Sequence, residues 1–289
     1  MLDVTHPKTA PNHRLRRTVG RGLLYAVALG VLAVIIVPLA FAVLGGFSTT
    51  GQLVVDPVSL PDPWVTSNYL ETLGSPNFWK QMGNSAFIAL VTILLVLPAS
   101  SLAAFVIARF RFRGRNAVYA LFTLGLLFPV AVAILPLFIV LRQTGLLDNP
   151  LGVALPQAAF ALPLSIVIIR PFFQGIPRDL EDAASLDGCG PLRFYWSVML
   201  PLSRPVMSTV AVLAIVTSWN AFLLPLHVLI RAEQWTLPIG VNNISAQYST
   251  DTALVLAYTT LAMLPAILFY VIAERQIVRG ILPKGALKG

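Results

Sequence analysis

Six polar or aromatic side chains without formal charge stand inside otherwise apolar stretches of the chain. They are Asn84, Gln157, Ser218, Trp219, Asn220 and Tyr258. Amide and hydroxyl groups at such positions can hydrogen-bond to neighbouring helices. The same groups, with the flat faces of an indole and a phenol, suit a pathway for a hydroxyl-rich neutral solute. Both interpretations stay open for each residue.

Several kinds of reactive chemistry are absent from the sequence. The apolar stretches contain no Asp, Glu, Lys or Arg, whereas proton- or sodium-driven transporters and voltage sensors carry such residues within the membrane. The chain also has no Walker lysine loop, no metal-ligand cluster and no Ser-His-Asp constellation. We therefore expect no catalytic, cofactor or metal site. If the chain moves a solute uphill, we expect another subunit to supply the energy.

The elements that must position these residues are six long stretches without charged side chains. The chain of 289 residues is 57% hydrophobic and only 11% charged, and it has one cysteine, which excludes soluble, disordered and disulfide-scaffold classes. An apolar helix of about 20 residues crosses a bilayer. We predict an all-α integral membrane protein with six transmembrane helices, in the windows 22–44, 84–108, 117–141, 151–169, 205–230 and 253–273.

Lys and Arg predict the orientation. Seventeen of the 20 lie in the two termini and in the loops 109–116 and 170–204, and three lie in the alternate loops. The positive-inside rule therefore places both termini in the cytoplasm, and the net charge of +8 needs no nucleic-acid partner. We expect the basic loop 109–116 to contact anionic lipid. The predicted organisation is a basic cytoplasmic tail (1–21), a first transmembrane helix (22–44), an external loop (45–83), a core domain with five spans (84–273) and a cytoplasmic C-terminal tail (274–289).

The longest internal loop predicts a short helix, a turn and a second helix. Pro177 and Asp179 favour a helix start, because proline fits the first turn and a carboxylate suits the positive end of the helix dipole. Gly188 and Gly190 predict its end, and Pro191 can begin the next helix. Small and apolar residues recur on one face, so we expect a shallow knob that projects into the cytoplasm and meets a partner.

This loop, over residues 176–201, resembles the EAA loop of ABC-importer permeases. The resembling residues are Leu180, Glu181, Asp182, Ala183, Ala184, Leu186, Asp187 and Gly188, followed by Leu200 and Pro201, with Asp182 in place of the usual Glu. Further stretches look like maltose-type carbohydrate permeases: Asn84-Ser85 with 103–109, Trp219-Asn220 with 221–225, 236–240, and the ending 280–289. The resemblance covers roughly residues 75–289.

The resemblance implies a type I ABC importer permease fold and a role as a transport subunit in a prokaryotic plasma (inner) membrane. It further implies a second permease, a cytoplasmic ABC ATPase dimer that carries ATP and Mg, and an external solute-binding protein that delivers an oligosaccharide or related polyol. In this picture the loop helix docks on the ATPase, and this chain binds no cofactor. The alternatives are a permease for another solute such as glycerol phosphate, a secondary transporter or channel acting alone, and a membrane scaffold.

Overall fold

The structure is a computed structural model that describes residues 13–247 and 251–281, with side chains for 22–247 and 251–271. Within these ranges the chain is helical and contains no strand. The helices are α1 (His13–Gly45), α2 (Thr50–Val55), α3 (Ser67–Gly74), α4 (Pro76–Arg109), α5 (Arg115–Gly125), α6 (Val130–Gln143), α7 (Pro150–Gly175), α8 (Asp179–Leu186), α9 (Pro191–Phe194), α10 (Leu200–Leu202), α11 (Arg204–Trp219), α12 (Leu223–Val228), α13 (Leu237–Gln247) and α14 (Thr252–Ile281). A π-helical segment, Tyr195–Met199, joins α9 to α10, and a 3₁₀ turn, Ala232–Gln234, precedes α13.

Four helices of the described chain are long and apolar enough to cross a membrane. They contain Gly22–Gly45, Pro76–Arg109, Pro150–Gly175 and Thr252–Val271. These match the first, second, fourth and sixth predicted windows. The prediction of an all-helical protein with multiple apolar spans is therefore confirmed, and the number of spans rises to six only if two bent helix pairs are each counted as one.

The third and fifth windows each contain two helices, whereas the prediction gave one helix for each. In the third, α5 and α6 meet at 97° around residues 126–129. Pro129 precedes α6 in an extended conformation, and proline cannot continue the hydrogen-bond ladder of a preceding helix. In the fifth, α11 ends at Trp219, and residues 220–222 separate it from the short helix α12. The segment Pro191–Leu202 also meets α11 at 77°.

The loop predicted as 45–83 is shorter than expected, because α4 begins at Pro76. Its remainder contains α2 and α3 and is ordered by aromatic packing. The ring of Phe47 lies 5.6 Å from that of Trp64 and 4.4 Å from that of Tyr69, between centroids. The Tyr69 hydroxyl also donates a hydrogen bond to the Val43 carbonyl at 2.8 Å.

Helices α4 and α7 form the centre of the bundle. Their contact surface is rich in small and β-branched residues. Four of its side chains are completely buried: Ala104, Ile166, Ile169 and Phe173. Small side chains let membrane helices approach closely. Helix α11 packs against α4, and α14 packs against α11, whereas only 6% of the apolar window of α1 is buried.

Parts of the two predicted tails lie outside the described residues. Residues 1–12 and 282–289 are not described, and 13–21 and 274–281 are described only as helical backbone. The backbone of the tail 1–21 is thus helical from residue 13 onward, since α1 begins at His13. The motif 280–289 falls almost entirely outside the description. The cytoplasmic location of both termini stays a prediction.

Candidate functional site

Helix α8 projects from the body of the protein, and none of its eight residues is buried. Leu180 is 42% exposed and Leu186 is 90% exposed. Three carboxylates, on Asp179, Glu181 and Asp182, occupy the first turn, where the positive end of the helix dipole favours negative charge. The helix therefore offers a small leucine and alanine surface beside a patch of negative charge.

The end of α8 has the geometry that its glycines and proline predict. Asp187 caps the helix, and Gly188 has a φ of +73°, a left-handed conformation that L side chains rarely adopt. The amide of Cys189 then donates a hydrogen bond to the Ala184 carbonyl at 2.8 Å. Pro191 begins α9. A side chain at position 188 would strain this turn whatever it contacted.

Arg109, at the end of α4, connects α8 to the bundle. Its side chain is only 2% exposed, and its Nη2 donates a hydrogen bond to the carbonyl of Ile176 at 3.0 Å. Its Nε lies 3.7 Å from Oε2 of Glu181, whose side chain is 34% exposed. The sequence placed Arg109 at the end of the family-like stretch 103–109 and as the first residue of the basic loop 109–116. Neither assignment gave a sign that its side chain is buried.

The residues that carry the EAA-loop resemblance divide into two groups. Leu180, Glu181, Asp182, Ala183, Ala184 and Leu186 lie on α8, Asp187 caps it and Gly188 follows, whereas Leu200 and Pro201 lie on α10. Ala184 and Leu200 pack against the same core cluster, which connects the two groups. A buried hydrogen bond of 2.7 Å between the hydroxyls of Ser101 and Tyr195 holds the π-helical segment that precedes α10 against α4.

A cavity of about 320 Å³ lies among α4, α6, α7, α11 and α12. Most of its lining is apolar, and its polar groups are the side chains of Thr92, Gln157, Ser165, Thr217 and Ser218. Among the residues that the structure describes, none with a titratable side chain lines it. This size falls within the range of about 300–1,000 Å³ that is usual for small-molecule sites.

Gln157 is the polar centre of this cavity. Its Oε1 accepts hydrogen bonds from the hydroxyl of Ser218 at 2.6 Å and from that of Thr92 at 3.4 Å. Its Nε2 is buried and has no hydrogen-bond partner within the described chain. An unpaired buried donor costs free energy, which a hydrogen-bond acceptor in the cavity would recover. Thr92 was not predicted, since a single threonine in an apolar helix is ordinary.

Trp219 and Tyr258 do not line the cavity. Trp219 is 4% exposed and donates its indole N–H to the carbonyl of Ala262 at 3.3 Å. Tyr258 is 2% exposed and donates its hydroxyl hydrogen to Oε1 of Gln81. Together with Phe78 they form a packed cluster, so the structure gives these two side chains interhelical contacts.

Asn84 and Asn220 also lie outside the cavity lining. Asn84 donates hydrogen bonds from Nδ2 to the carbonyls of Glu233 at 2.8 Å and Trp235 at 3.0 Å. Its neighbour Ser85 accepts one from the amide of Leu237 at 2.9 Å. These contacts hold the segment before α13 on α4. Asn220 caps α11 and hydrogen-bonds within its own helix.

An ion pair at the opposite end of the bundle joins two loops. Asp148 accepts hydrogen bonds from the amides of Ile230 and Arg231 at 2.9 and 3.0 Å and from the Arg231 guanidinium. Desolvation alone would raise the pKa of Asp148. The hydrogen bonds and the charge of Arg231 outweigh it and hold that pKa below its ordinary value.

Comparisons with known proteins agree on one family. A family model described as "Binding-protein-dependent transport system inner membrane component" matches residues 97–281. The chain is 35% identical to the diacetylchitobiose uptake system permease protein NgcG of Streptomyces coelicolor, covering 84% of this chain and 82% of that protein. It is 30% identical to the arabinooligosaccharides transport system permease protein AraQ of Halalkalibacterium halodurans, covering 98% and 99%.

A solved structure shares the fold. A chain of a bacterial ABC transporter involved in the import of the acidic polysaccharide alginate superimposes with a TM-score of 0.77 at 22% sequence identity. The superposition covers 94% of this chain and 100% of that one. The overall helical fold of this chain is therefore the fold of that solved chain.

Proposed function

The chain belongs to the family of binding-protein-dependent transport system inner membrane components, and we propose that it is the transmembrane permease subunit of an ATP-driven importer for a neutral sugar. The observation that carries this proposal is the exposed helix α8, tethered to the membrane-crossing helix α4 by the buried Arg109. Such a helix can receive a displacement from a partner and transmit it to the bundle. The expected cargo is an oligosaccharide or a related polyol.

The coupling step uses the exposed surface of α8. Leu180, Ala183 and Leu186 dock in a cleft of a cytoplasmic ATPase subunit. The exposed carboxylates of Asp179 and Asp182 face basic groups there. When ATP binding brings the two ATPase subunits together, α8 moves with its own subunit. Arg109 then passes this motion to α4. ATP and Mg belong to that partner, and this chain holds no cofactor and catalyses no reaction.

The cargo step uses the cavity around Gln157. The two N–H donors of Gln157 and the nearby hydroxyls can hydrogen-bond to the hydroxyl groups of a sugar. The apolar walls of the cavity suit the faces of a sugar ring. An anion such as glycerol phosphate would need a basic residue, and none in the described part of the chain lines the cavity. An external solute-binding protein delivers the sugar, and a second permease completes the pathway. Both termini face the cytoplasm.

The coupling proposal is tested with purified complexes in proteoliposomes. We compare Leu186→Glu with Leu60→Glu, because Leu60 is a similarly exposed leucine (68%) in the predicted external loop. Leu186→Glu is expected to reduce ATP-driven uptake of diacetylchitobiose or arabinotriose at least tenfold while the variant still folds. Leu60→Glu should transport normally. Equal uptake by the two variants would exclude α8 as the docking surface.

The cargo proposal is tested with Gln157→Leu, and Gln174→Leu is the matched control, since Gln174 lies exposed on the same helix. Loss of one hydrogen bond to a neutral sugar is worth about 0.5–1.5 kcal/mol, which predicts a roughly 2- to 12-fold rise in the half-saturating sugar concentration. The ATPase rate without sugar should not change. An unaltered concentration dependence would remove Gln157 from the pathway.

A further inference from the structure

A groove separate from the cavity and from α8 lies between α4 and the segment Tyr195–Arg204. It has a volume of about 520 Å³. Its apolar surface is formed by Leu97, Pro98, Leu200, Pro201 and Met207. Trp196 and Arg204 also line it and both are exposed, whereas the ring of Tyr195 in its wall is buried. The groove thus combines a hydrophobic floor with aromatic rings and one cation.

The charge of Arg204 has no partner in the described part of the chain. Arg204 is exposed and forms no ion pair there, whereas Arg109 and Arg231 each pair with a carboxylate. Further arginines of the loops 109–116 and 170–204 lie at the same predicted end of the bundle, so the surroundings favour an anion. The guanidinium group forms bidentate hydrogen bonds with phosphate.

The groove lies toward the predicted cytoplasmic end of α4, where a membrane surface is expected. It contacts Ser101 of α4, eight residues before Arg109, which corresponds to about 12 Å along the helix. The segment Pro191–Leu202 meets α11 at 77°, so it runs nearly parallel to the membrane plane if α11 crosses the membrane. Tryptophan is enriched at this depth, and Trp196 is 53% exposed.

We propose that this groove binds an anionic phospholipid of the adjoining leaflet. The phosphate headgroup pairs with Arg204, Trp196 covers the glycerol region, and the start of one acyl chain lies on Leu97, Pro98 and Met207. A zwitterionic lipid would fill the apolar floor equally well and presents the same phosphate, but its ammonium group cancels the net negative charge that Arg204 attracts. The site is therefore selective for the net charge of the headgroup, and the lipid braces the segment that links α8 to α11.

Trp196 serves as the reporter of this site. The full chain, purified with its partner subunits, is placed in phosphatidylcholine nanodiscs that contain a small fraction of acyl-brominated lipid. The brominated lipid is either phosphatidylglycerol or phosphatidylcholine. The fluorescence of Trp196 is taken as the difference between the natural protein and Trp196→Phe, because the chain has five tryptophans. Brominated phosphatidylglycerol should quench this signal at least twofold more strongly than brominated phosphatidylcholine.

Arg204→Gln should abolish the preference, and Arg204→Lys should retain part of it. Arg193→Gln is the matched control, since Arg193 is an exposed arginine nearby that does not line the groove, and it should behave like the natural protein. Equal quenching by the two lipids, or a preference that survives in Arg204→Gln, would overturn the proposal. Absence of quenching by either lipid would mean that a partner protein covers the groove, which also overturns it.

Discussion

Glu181→Gln should loosen α8 from the bundle without disturbing the membrane-crossing helices. The substitution keeps the size of the side chain and removes its charge, so the ion pair with Arg109 is lost. The hydrogen bond from Arg109 to the Ile176 carbonyl remains. Only the attachment of α8 should therefore weaken. In the importer that we propose, ATP hydrolysis would then continue while sugar uptake falls.

The geometry bounds the size of this effect. Two unit charges 3.7 Å apart attract by about 4–5 kcal/mol at an effective dielectric constant of about 20. This attraction is offset by the desolvation of Arg109, and water screens Glu181, whose side chain is 34% exposed. Exposed pairs contribute about 0–1 kcal/mol, and breaking a fully buried pair costs about 3–5 kcal/mol. We expect a loss of about 1–2 kcal/mol for this half-buried pair.

Amide hydrogen exchange of α8 measures this loss directly. A local destabilisation of 1–2 kcal/mol raises the population of the open form, and hence the exchange rate, by a factor of about 5–30. The increase should be confined to residues 179–187 and their flanks. Exchange in α4 and α7 should stay unchanged, because their packing does not depend on Glu181.

Asp182→Asn is the matched control for this prediction. It removes one negative charge from the same first turn, but Asp182 is exposed and forms no ion pair within the described residues. It should change exchange by no more than the helix-dipole contribution of about 0.3–1 kcal/mol. In double-mutant cycles with Arg109→Gln, the combination with Glu181→Gln should destabilise α8 by less than the sum of the two single variants. The combination with Asp182→Asn should be additive. Equal acceleration in the two single variants, or no coupling in the cycle, would refute the role of Arg109 as the anchor.

Three further predictions follow from other contacts. Gly240→Ala should destabilise the protein in detergent by about 2–3 kcal/mol, because the added Cβ would displace Oε1 of Gln81 and break its buried hydrogen bond with Tyr258; an unchanged melting temperature would contradict this. Ser101→Val should cost about 1–3 kcal/mol by leaving the buried Tyr195 hydroxyl unpaired, and Tyr195→Phe should cost less, because the Ser101 hydroxyl keeps its hydrogen bond to the Pro98 carbonyl at 3.2 Å. The double variant should cost less than the sum of the two in the same assay. The pKa of Asp148 is lowered in the folded protein, so its contribution to stability is complete above the ordinary value of 3.8 and is lost as pH falls through the folded value. Protease cleavage of its loop should increase at that low pH, and Asp148→Asn should show no such dependence.

The local elements of the loop helix were predictable from sequence because their signals are local. The proline at position 191 and the carboxylate of Asp179 mark helix starts, and Gly188 marks a left-handed turn; each acts within a few residues of itself. Periodicity also indicated that the intervening residues form a helix. What this pattern could not reveal is that Glu181 faces Arg109 of the same chain, 72 positions earlier, instead of a partner.

The breaks in the third and fifth windows escaped prediction for a related reason. Hydropathy measures the preference of a segment for an apolar environment, and residues 126–129 are as apolar as their neighbours. A bend of 97° changes the direction of the chain without changing that preference. Its cause is the loss of the backbone ladder at Pro129, combined with the packing of α5 on α7 and of α6 mainly on α12.

The membrane class, the apolar spans and the local shape of α8 are consequences of composition and of short-range backbone chemistry, so the sequence determines them by itself. The division of the polar residues was decided only by the tertiary structure. Gln157 shares a cavity with Ser218, 61 positions away, whereas Tyr258 is buried against Gln81, 177 positions away. The burial of Arg109 depends in the same way on the approach of α8. The type of a side chain determines which hydrogen bonds and ion pairs it can form. Only the packing of distant segments determines whether its partner is protein, lipid or cargo.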